Sequence, residues 1–215
     1  MEWTRGDFLL PKLKTLIALY FKDRIFLVAL VLILFVMGII FGVLAARLME
    51  FDQKADLIKY VTQGLHETTI VQNNAYTKQT IIANIQTVFF LFFMGISVIG
   101  IPLALLLIFT RGFILGFCMG FLLQNMGLKG AVVVMAGIVP HNLLIIPGLL
   151  LMVVAMIDCA TALAKIRFTK RQVPIGEELI RSAVLTLIVL VVMIVAGLVQ
   201  GYLTPALTGW VGRLI

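Results

Sequence analysis

The chain has 215 residues, of which 62% are hydrophobic and 13% are charged. Soluble globular domains average about 45–50% apolar and about 25% charged residues, so this composition excludes an ordinary water-soluble protein. The net charge of +7 could indicate nucleic-acid binding. In so apolar a chain we interpret it first as the basic flanks that orient membrane helices.

Apolar windows without charges follow one another along the chain. A helix needs ~20 mostly apolar residues to span the hydrocarbon core of a bilayer. Four windows reach that length: Ile25–Ala46, Ile81–Phe109, Gly130–Ile157 and Ser182–Gly212. A shorter window, Gly112–Leu128, is marginal. We therefore predict an all-α, polytopic integral membrane protein with five transmembrane helices.

Basic residues between these windows predict the orientation of the chain. One group precedes the first window, one residue separates the second from the third, and another group separates the fourth from the fifth: Arg5, Lys12, Lys14, Lys22 and Arg24; Arg111; Lys165, Arg167, Lys170, Arg171 and Arg181. Five crossings place all of them on one side, which the positive-inside rule identifies as the cytoplasm. We predict a cytoplasmic N-terminus and an extracytoplasmic C-terminus.

The same windows divide the chain into regions. We expect a basic cytoplasmic or interfacial N-terminus over 1–24, the first transmembrane helix over 25–46, an extracytoplasmic amphipathic region over 47–80 and a four-helix transmembrane core over 81–215. Apolar residues in the third part recur at helical spacing. That part is too short for a separate enzyme domain. Two interpretations stay open: it covers the bundle as a lid on the membrane, or it contacts a partner outside the membrane through Phe51, Ile58 and Leu65.

Small residues four apart mark two of the predicted helices. They are Gly38 and Gly42 in the first, and Gly112, Gly116 and Gly120 in the third. Such spacing makes a smooth strip on which helix backbones approach closely. The strip predicts helix packing, either within the chain or between two copies as a homodimer.

The stretch VPHNLLIIPG, Val139–Gly148, places polar residues between two prolines inside an apolar window. Pro140 and Pro147 each remove a backbone donor, so we predict a break in the helix. His141 and Asn142 can hydrogen-bond the freed carbonyls or a neighbouring helix. Two interpretations stay open here: a polar clamp that holds the broken helix, and a docking groove that the break opens.

Patterns for catalysis are weak in this chain. Ser97 and His141 lie in different windows, but Ser97 lacks the following glycine of a rhomboid-type serine protease. Two histidines are too few for a His-Glu-x-x-His zinc site, and Cys118 and Cys159 alone make neither a zinc site nor, in this topology, a disulfide. We predict no enzyme activity, no cofactor and no metal.

Transport is the alternative function. Pumps and transporters usually carry several ionisable residues within their spans. His141 is the one ionisable side chain inside the four long windows. The alternative is therefore a small channel or transporter subunit with His141 in the pathway.

Several motifs in the second half of the chain occur together. They are GISVIGIP at Gly95–Pro102, RGFILGF at Arg111–Phe117, QNMGLKG at Gln124–Gly130 and PHNLLIIP at Pro140–Pro147, with FDQKADL at Phe51–Leu57 near the first window. As a set they resemble the stage II sporulation protein M family over almost the whole chain. Many broader members carry a glutamate four residues after the histidine, where this chain has Ile145, so a role for a His–Glu pair is not implied here.

The resemblance implies a function in endospore formation. Members of the sporulation branch lie in the mother-cell membrane at the sporulation septum. They form a complex with the stage II sporulation proteins P and D, which degrade peptidoglycan while the forespore is engulfed. The resemblance thus implies a membrane scaffold that anchors and organises these hydrolases, with membrane lipid around it and no nucleic acid.

Overall fold

The computed structural model describes residues 24–50, 53–59, 74–95, 97, 99–169 and 175–207. Within these residues the long helices are α1 (Ile25–Leu48), α2 (Asn74–Met94), α3 (Gly100–Val133), α4 (Val139–Thr169) and α5 (Ile175–Leu198). A π-helical turn, Val134–Ile138, joins α3 to α4, and a second, Val199–Leu203, extends α5. The described residues contain no strand, and the predicted all-α class is confirmed.

Three described segments are long and apolar enough to cross a membrane. They are Ile25–Leu48, Gly100–Ala164 and Ser182–Leu207. The second is 65 residues long, which at ~1.5 Å per residue would be about three times the thickness of the hydrocarbon core if it were straight. The number of crossings and the orientation of the termini stay predictions.

The long segment folds back on itself at Gly127. This glycine has φ 54° and ψ −128°, a conformation that L side chains rarely adopt. Beyond it, a Cβ on Gly130 would overlap the backbone carbonyl of Leu122. Residues eight apart in a straight helix are ~12 Å apart, so the chain reverses here. The reversal lays the part of α3 before Gly127 against the part after it, where Leu122 clusters with Val133.

The boundary between the second and third predicted helices is a correction. The window Ile81–Phe109 is not one helix, because the chain turns between Met94 and Gly100. In that turn Ser97 N donates to the Met94 carbonyl at 3.1 Å. Pro102 follows in the first turn of α3, where its missing N–H costs nothing, whereas in a continuous helix its ring would clash with the preceding turn. Arg111 therefore lies inside α3 and not in a connecting loop.

The helices pack in a consistent set of directions. Along α1 and α3 the facing positions increase together, since Phe35 faces Gly112 and Val43 faces Gly120, so these helices are parallel. Helix α5 is antiparallel to α2, as shown by Gly197 against Ile81, and to α4. Helix α4 lies at the centre of the bundle, and its residues 152–160 are all buried.

Two polar contacts, an ion pair and a hydrogen bond, connect helices within the apolar bundle. Arg24, at the start of α1, forms an ion pair with Asp158 of α4, and both side chains are largely buried. Asn84 of α2 donates from Nδ2 to the carbonyl of Met193 in α5 at 3.2 Å. Polar contacts inside an apolar bundle add direction to packing that is otherwise non-specific.

Candidate functional site: a polar cavity around Arg111 and His141

A cavity of about 480 Å³ lies among α2, α3, α4 and the π-helical turn after α5. Its apolar wall includes Ile108, Leu115, Ile145 and Leu149. Its polar lining residues come from all four elements: Gln79, Thr80, Asn84, Arg111, Cys118, His141, Asn142 and Gln200. The described lining contains no acidic side chain, and its volume lies in the range of small-ligand sites, about 300–1,000 Å³.

Two π-helical turns present residues to this cavity. The turn Val134–Ile138 comes just before Pro140, and within it Val139 N donates to the Val134 carbonyl, five residues back. The turn Val199–Leu203 carries Gln200. A π turn inserts one extra residue into the helix and shifts the face that the following side chains occupy. Both wider turns therefore border the site.

The predicted break between Pro140 and Pro147 is a second correction. Helix α4 is continuous from Val139, with Pro147 inside it. One proline removes a single helical hydrogen bond, and the packing of neighbouring helices compensates for that loss. The distortion lies one turn earlier, at Val134–Ile138, and the groove is formed between helices and not by a gap in one of them.

His141 and Asn142 form a local hydrogen-bonded pair. Asn142 Nδ2 donates to the Ile138 carbonyl at 2.8 Å and lies 3.0 Å from His141 Nε2. The Asn142 amide has two hydrogens, one directed to the Ile138 carbonyl and one to His141 Nε2. The ring nitrogen Nε2 therefore accepts, and the neutral ring carries its proton on Nδ1. That Nδ1 is buried and has no hydrogen-bond partner among the described residues. The pair therefore leaves one ring donor unused.

Arg111 is the charged residue of the cavity lining. It lies eleven residues after Gly100, about 16 Å along α3, and farther still from Gly127, so its side chain reaches neither end of the helix. Its side chain is partly buried, and the described residues give it no carboxylate within ion-pair distance. Placing an arginine at the centre of a transmembrane helix costs about 2.5–3.5 kcal/mol. Such a residue usually marks a functional site.

A comparison with known families decides what kind of protein contains this cavity. The family model described as stage II sporulation protein M matches residues 31–205. The chain belongs to the stage II sporulation protein M family. Together with its apolar helices, membership makes it a sporulation-related membrane protein, and the family is not a known enzyme family. The matched range contains the cavity and all of its lining residues.

A relative in another organism covers nearly the same range. The chain is 28% identical over 180 residues to an uncharacterised protein of Methanocaldococcus jannaschii, an alignment that spans 83% of this chain and 93% of the relative. No solved structure matches the chain.

The structure places the predicted glycines between α1 and α3. A Cβ on Gly38 or Gly42 would overlap the carbonyl of Phe109 or Phe113. From the other side, a Cβ on Gly112 or Gly116 would overlap the backbone of α1 in the same way, while a Cβ on Gly120 would lie 3.1 Å from Val43 Cα. We name these five residues the glycine seam. It is a contact within one chain, so a homodimer would need another surface.

The other predicted site residues are dispersed. Ser97 is exposed in the turn before α3, and the neighbouring Gly95 approaches Met156 of α4. Met156 lies fifteen residues beyond His141, about 22 Å along the helix, so the structure does not bring Ser97 and His141 together. Ile58 lies in a short helical segment over 53–59.

Further predictions concern residues outside the described part of the chain and the two cysteines. Phe51, Leu65 and residues 1–23 lie outside the described residues. Neither Cys118 nor Cys159 forms a disulfide within the described part of the chain. The described residues contain no group of three or more histidine, cysteine, aspartate or glutamate side chains that could hold a metal ion.

Arg111 is the charged site residue that the sequence interpretation missed. It separates two apolar windows, and that position predicts a loop residue. Pro102 is the residue that indicates a different boundary, since it lies inside the window Ile81–Phe109 and favours a helix start. With the start of α3 at Gly100, the sequence alone would have placed Arg111 in mid-helix.

Proposed function

We propose that this protein is a membrane scaffold that anchors and organises peptidoglycan-degrading enzymes during forespore engulfment. The observation that carries the proposal is family membership over 31–205. The partners proposed are the stage II sporulation proteins P and D, and the proposed location is the mother-cell membrane at the sporulation septum. Degradation would then belong to the partners, and this chain would supply their position.

The arrangement of the described residues supports a non-catalytic role. A nucleophile and its base must lie within hydrogen-bond reach of each other, and Ser97 lies near Met156, about 22 Å along α4 from His141. Large apolar side chains are exposed along α2 and α5, among them Phe93 and Leu187. In a membrane such faces contact lipid or the helices of a partner.

Co-purification from sporulating cells tests the scaffold. The tagged wild-type protein is expected to recover both hydrolases, and Ile58→Asp is expected to recover about tenfold less, which corresponds to ~1.4 kcal/mol of binding free energy. Lys59→Asp is the matched control, because it introduces the same side chain at the exposed neighbouring position. Failure of the wild type to recover either hydrolase would refute the scaffold.

The cavity is the observation that favours the alternative, a small channel or transporter subunit with His141 in the pathway. On α4 the lining residues end at Leu150, and residues 152–160 beyond them are all buried. A conducting path would have to pass this packed section. Reconstituted liposomes are therefore expected to show no ion flux above protein-free liposomes. A flux that His141→Ala abolishes would replace the scaffold by the channel.

A further inference from the structure

We propose that the cavity around Arg111 and His141 binds an oxyanion, the phosphate or carboxylate group of a small anion or of a lipid head group. This inference does not depend on the scaffold function, because it concerns the isolated chain. It starts from an imbalance of charge and of hydrogen-bond donors inside the bundle.

The charge of Arg111 is unbalanced within the described part of the cavity. Arg111 lines the cavity from mid-helix, too far from either end of α3 for its guanidinium to reach water by extending along the helix. Asp158, the buried acid among the described residues, is held by Arg24 elsewhere in the bundle. A buried charge is stable when it is paired, and the described part of the chain offers Arg111 no acidic partner in the cavity.

The imidazole of His141 supplies an unused hydrogen-bond donor. His141 accepts from Asn142 through Nε2, so its Nδ1 carries the proton and has no acceptor among the described residues. Arg111 contributes further donors in a planar fork. The cavity therefore combines the cation of Arg111 with the unused N–H group of His141. One anionic oxygen group would neutralise the charge and accept the hydrogen bond.

The volume of the cavity and its apolar wall suit a ligand larger than a single water molecule. A volume of about 480 Å³ exceeds the ~30 Å³ share of a single water molecule many times over, so the cavity has space for an oxyanion together with the group that carries it. Ile108, Ile145 and Leu149 form an apolar wall beside the polar end. That wall suits an acyl chain, whereas the polar end suits a phosphate or a carboxylate. A planar guanidinium binds both of these groups through two parallel hydrogen bonds.

The experiment measures the melting temperature of the purified full chain in a neutral detergent. Inorganic phosphate is titrated at constant ionic strength in one arm, and phosphatidylglycerol is titrated against phosphatidylcholine in the other. A specific ligand raises the melting temperature by mass action, by roughly 3–6 °C at ten times its dissociation constant. A shift with phosphate identifies the free anion as sufficient, and a shift with phosphatidylglycerol alone identifies a lipid head group.

Variants assign the shift to the cavity. Arg111→Gln is expected to lose it, whereas Lys78→Gln, which removes an exposed cation next to Gln79 but outside the lining, is expected to keep it. Ile145→Glu places a carboxylate on the cavity wall and is expected to abolish the response by pairing with Arg111 internally. Ile145→Gln is its matched control, since it adds a polar group of similar size without a charge.

The outcomes separate cleanly. Loss of the shift in Arg111→Gln and Ile145→Glu, with retention in Lys78→Gln and Ile145→Gln, supports the oxyanion site. An equal loss in Lys78→Gln would mean general electrostatic attraction and would overturn it. Absence of any shift in the wild type with both phosphate and phosphatidylglycerol would also overturn it and would favour an acidic side chain of a partner helix as the counter-ion of Arg111.

Discussion

Substitution of Gly116 in the glycine seam gives the sharpest test of the fold. A Cβ at this position would overlap the carbonyl of Ile39 and would lie 2.7 Å from Ile39 Cα and 2.8 Å from its carbonyl carbon. Carbon atoms in contact normally lie ~3.5–4.0 Å apart. In Gly116→Ala the backbone of α1 must therefore retreat by about 1 Å, because no flexible side chain is available to move instead.

The magnitude follows from two opposing contributions. Overpacking costs about 1–3 kcal/mol, and we take the upper end because a gap of about 1 Å along two helices forfeits a large part of their dispersion energy. Replacing glycine by alanine in a helix returns about 1 kcal/mol. We expect a net loss of about 2 kcal/mol, which lowers the melting temperature by roughly 4–8 °C.

Gly148→Ala is the matched control. Its Cβ would meet only side-chain atoms, the nearest being Val192 Cγ1 at 3.6 Å, which is ordinary contact. Here the helical preference for alanine acts alone, so we expect an unchanged or slightly raised melting temperature. Both variants are measured in the same detergent by thermal unfolding. Gly116→Ala melting at or above the wild type would refute the close packing of α1 on α3.

Three further predictions concern the polar contacts and the thiols. Asp158→Asn leaves Arg24 without its ion-pair partner and is expected to cost about 3 kcal/mol of unfolding free energy. The double variant Asp158→Asn with Arg24→Gln should recover much of that stability. Equal losses in the single and the double variant would contradict the ion pair. Asn84→Leu removes the buried bond to the Met193 carbonyl and should cost about 1 kcal/mol, while Thr87→Val, whose hydroxyl bonds its own helix at Ala83, should cost almost nothing. A methanethiosulfonate reagent should modify Cys118, which lines the cavity, faster than Cys159, which is 5% exposed. The two rates are read by mass spectrometry of the Cys159→Ser and Cys118→Ser variants. Faster modification of Cys159 would contradict its buried position in α4.

Much of the fold could be predicted because the apolar windows are long and free of charges. The helices α1 and α5 coincide in their apolar parts with the predicted windows, and the resemblance to the sporulation M family was confirmed by the family model. The second and third helices were divided wrongly. A charge between two apolar windows looks like a loop when hydropathy is the only guide, and Arg111 is such a charge.

The site was harder to predict because it depends on how helices rotate and pair. His141 and Asn142 were singled out as polar residues near prolines, and the structure places both in the cavity. The sequence did not show that Gln79, Arg111 and Gln200 line the same cavity, since these residues come from three other elements. The sequence did not show the π turns either. Their positions depend on where the packing of the helices accommodates one extra residue.

The sequence by itself determined the class of the protein. An apolar chain cannot leave its backbone polar groups unpaired in a bilayer, so helices are the consistent solution, and the glycine spacing showed that some of them pack closely. Tertiary structure alone decided that the glycine seam joins α1 to α3 within one chain, that Gly127 reverses the long apolar segment, and that Arg111 and His141 line the same cavity. These relations join residues far apart in the chain, and no local pattern of apolar and polar residues specifies which helix faces will meet.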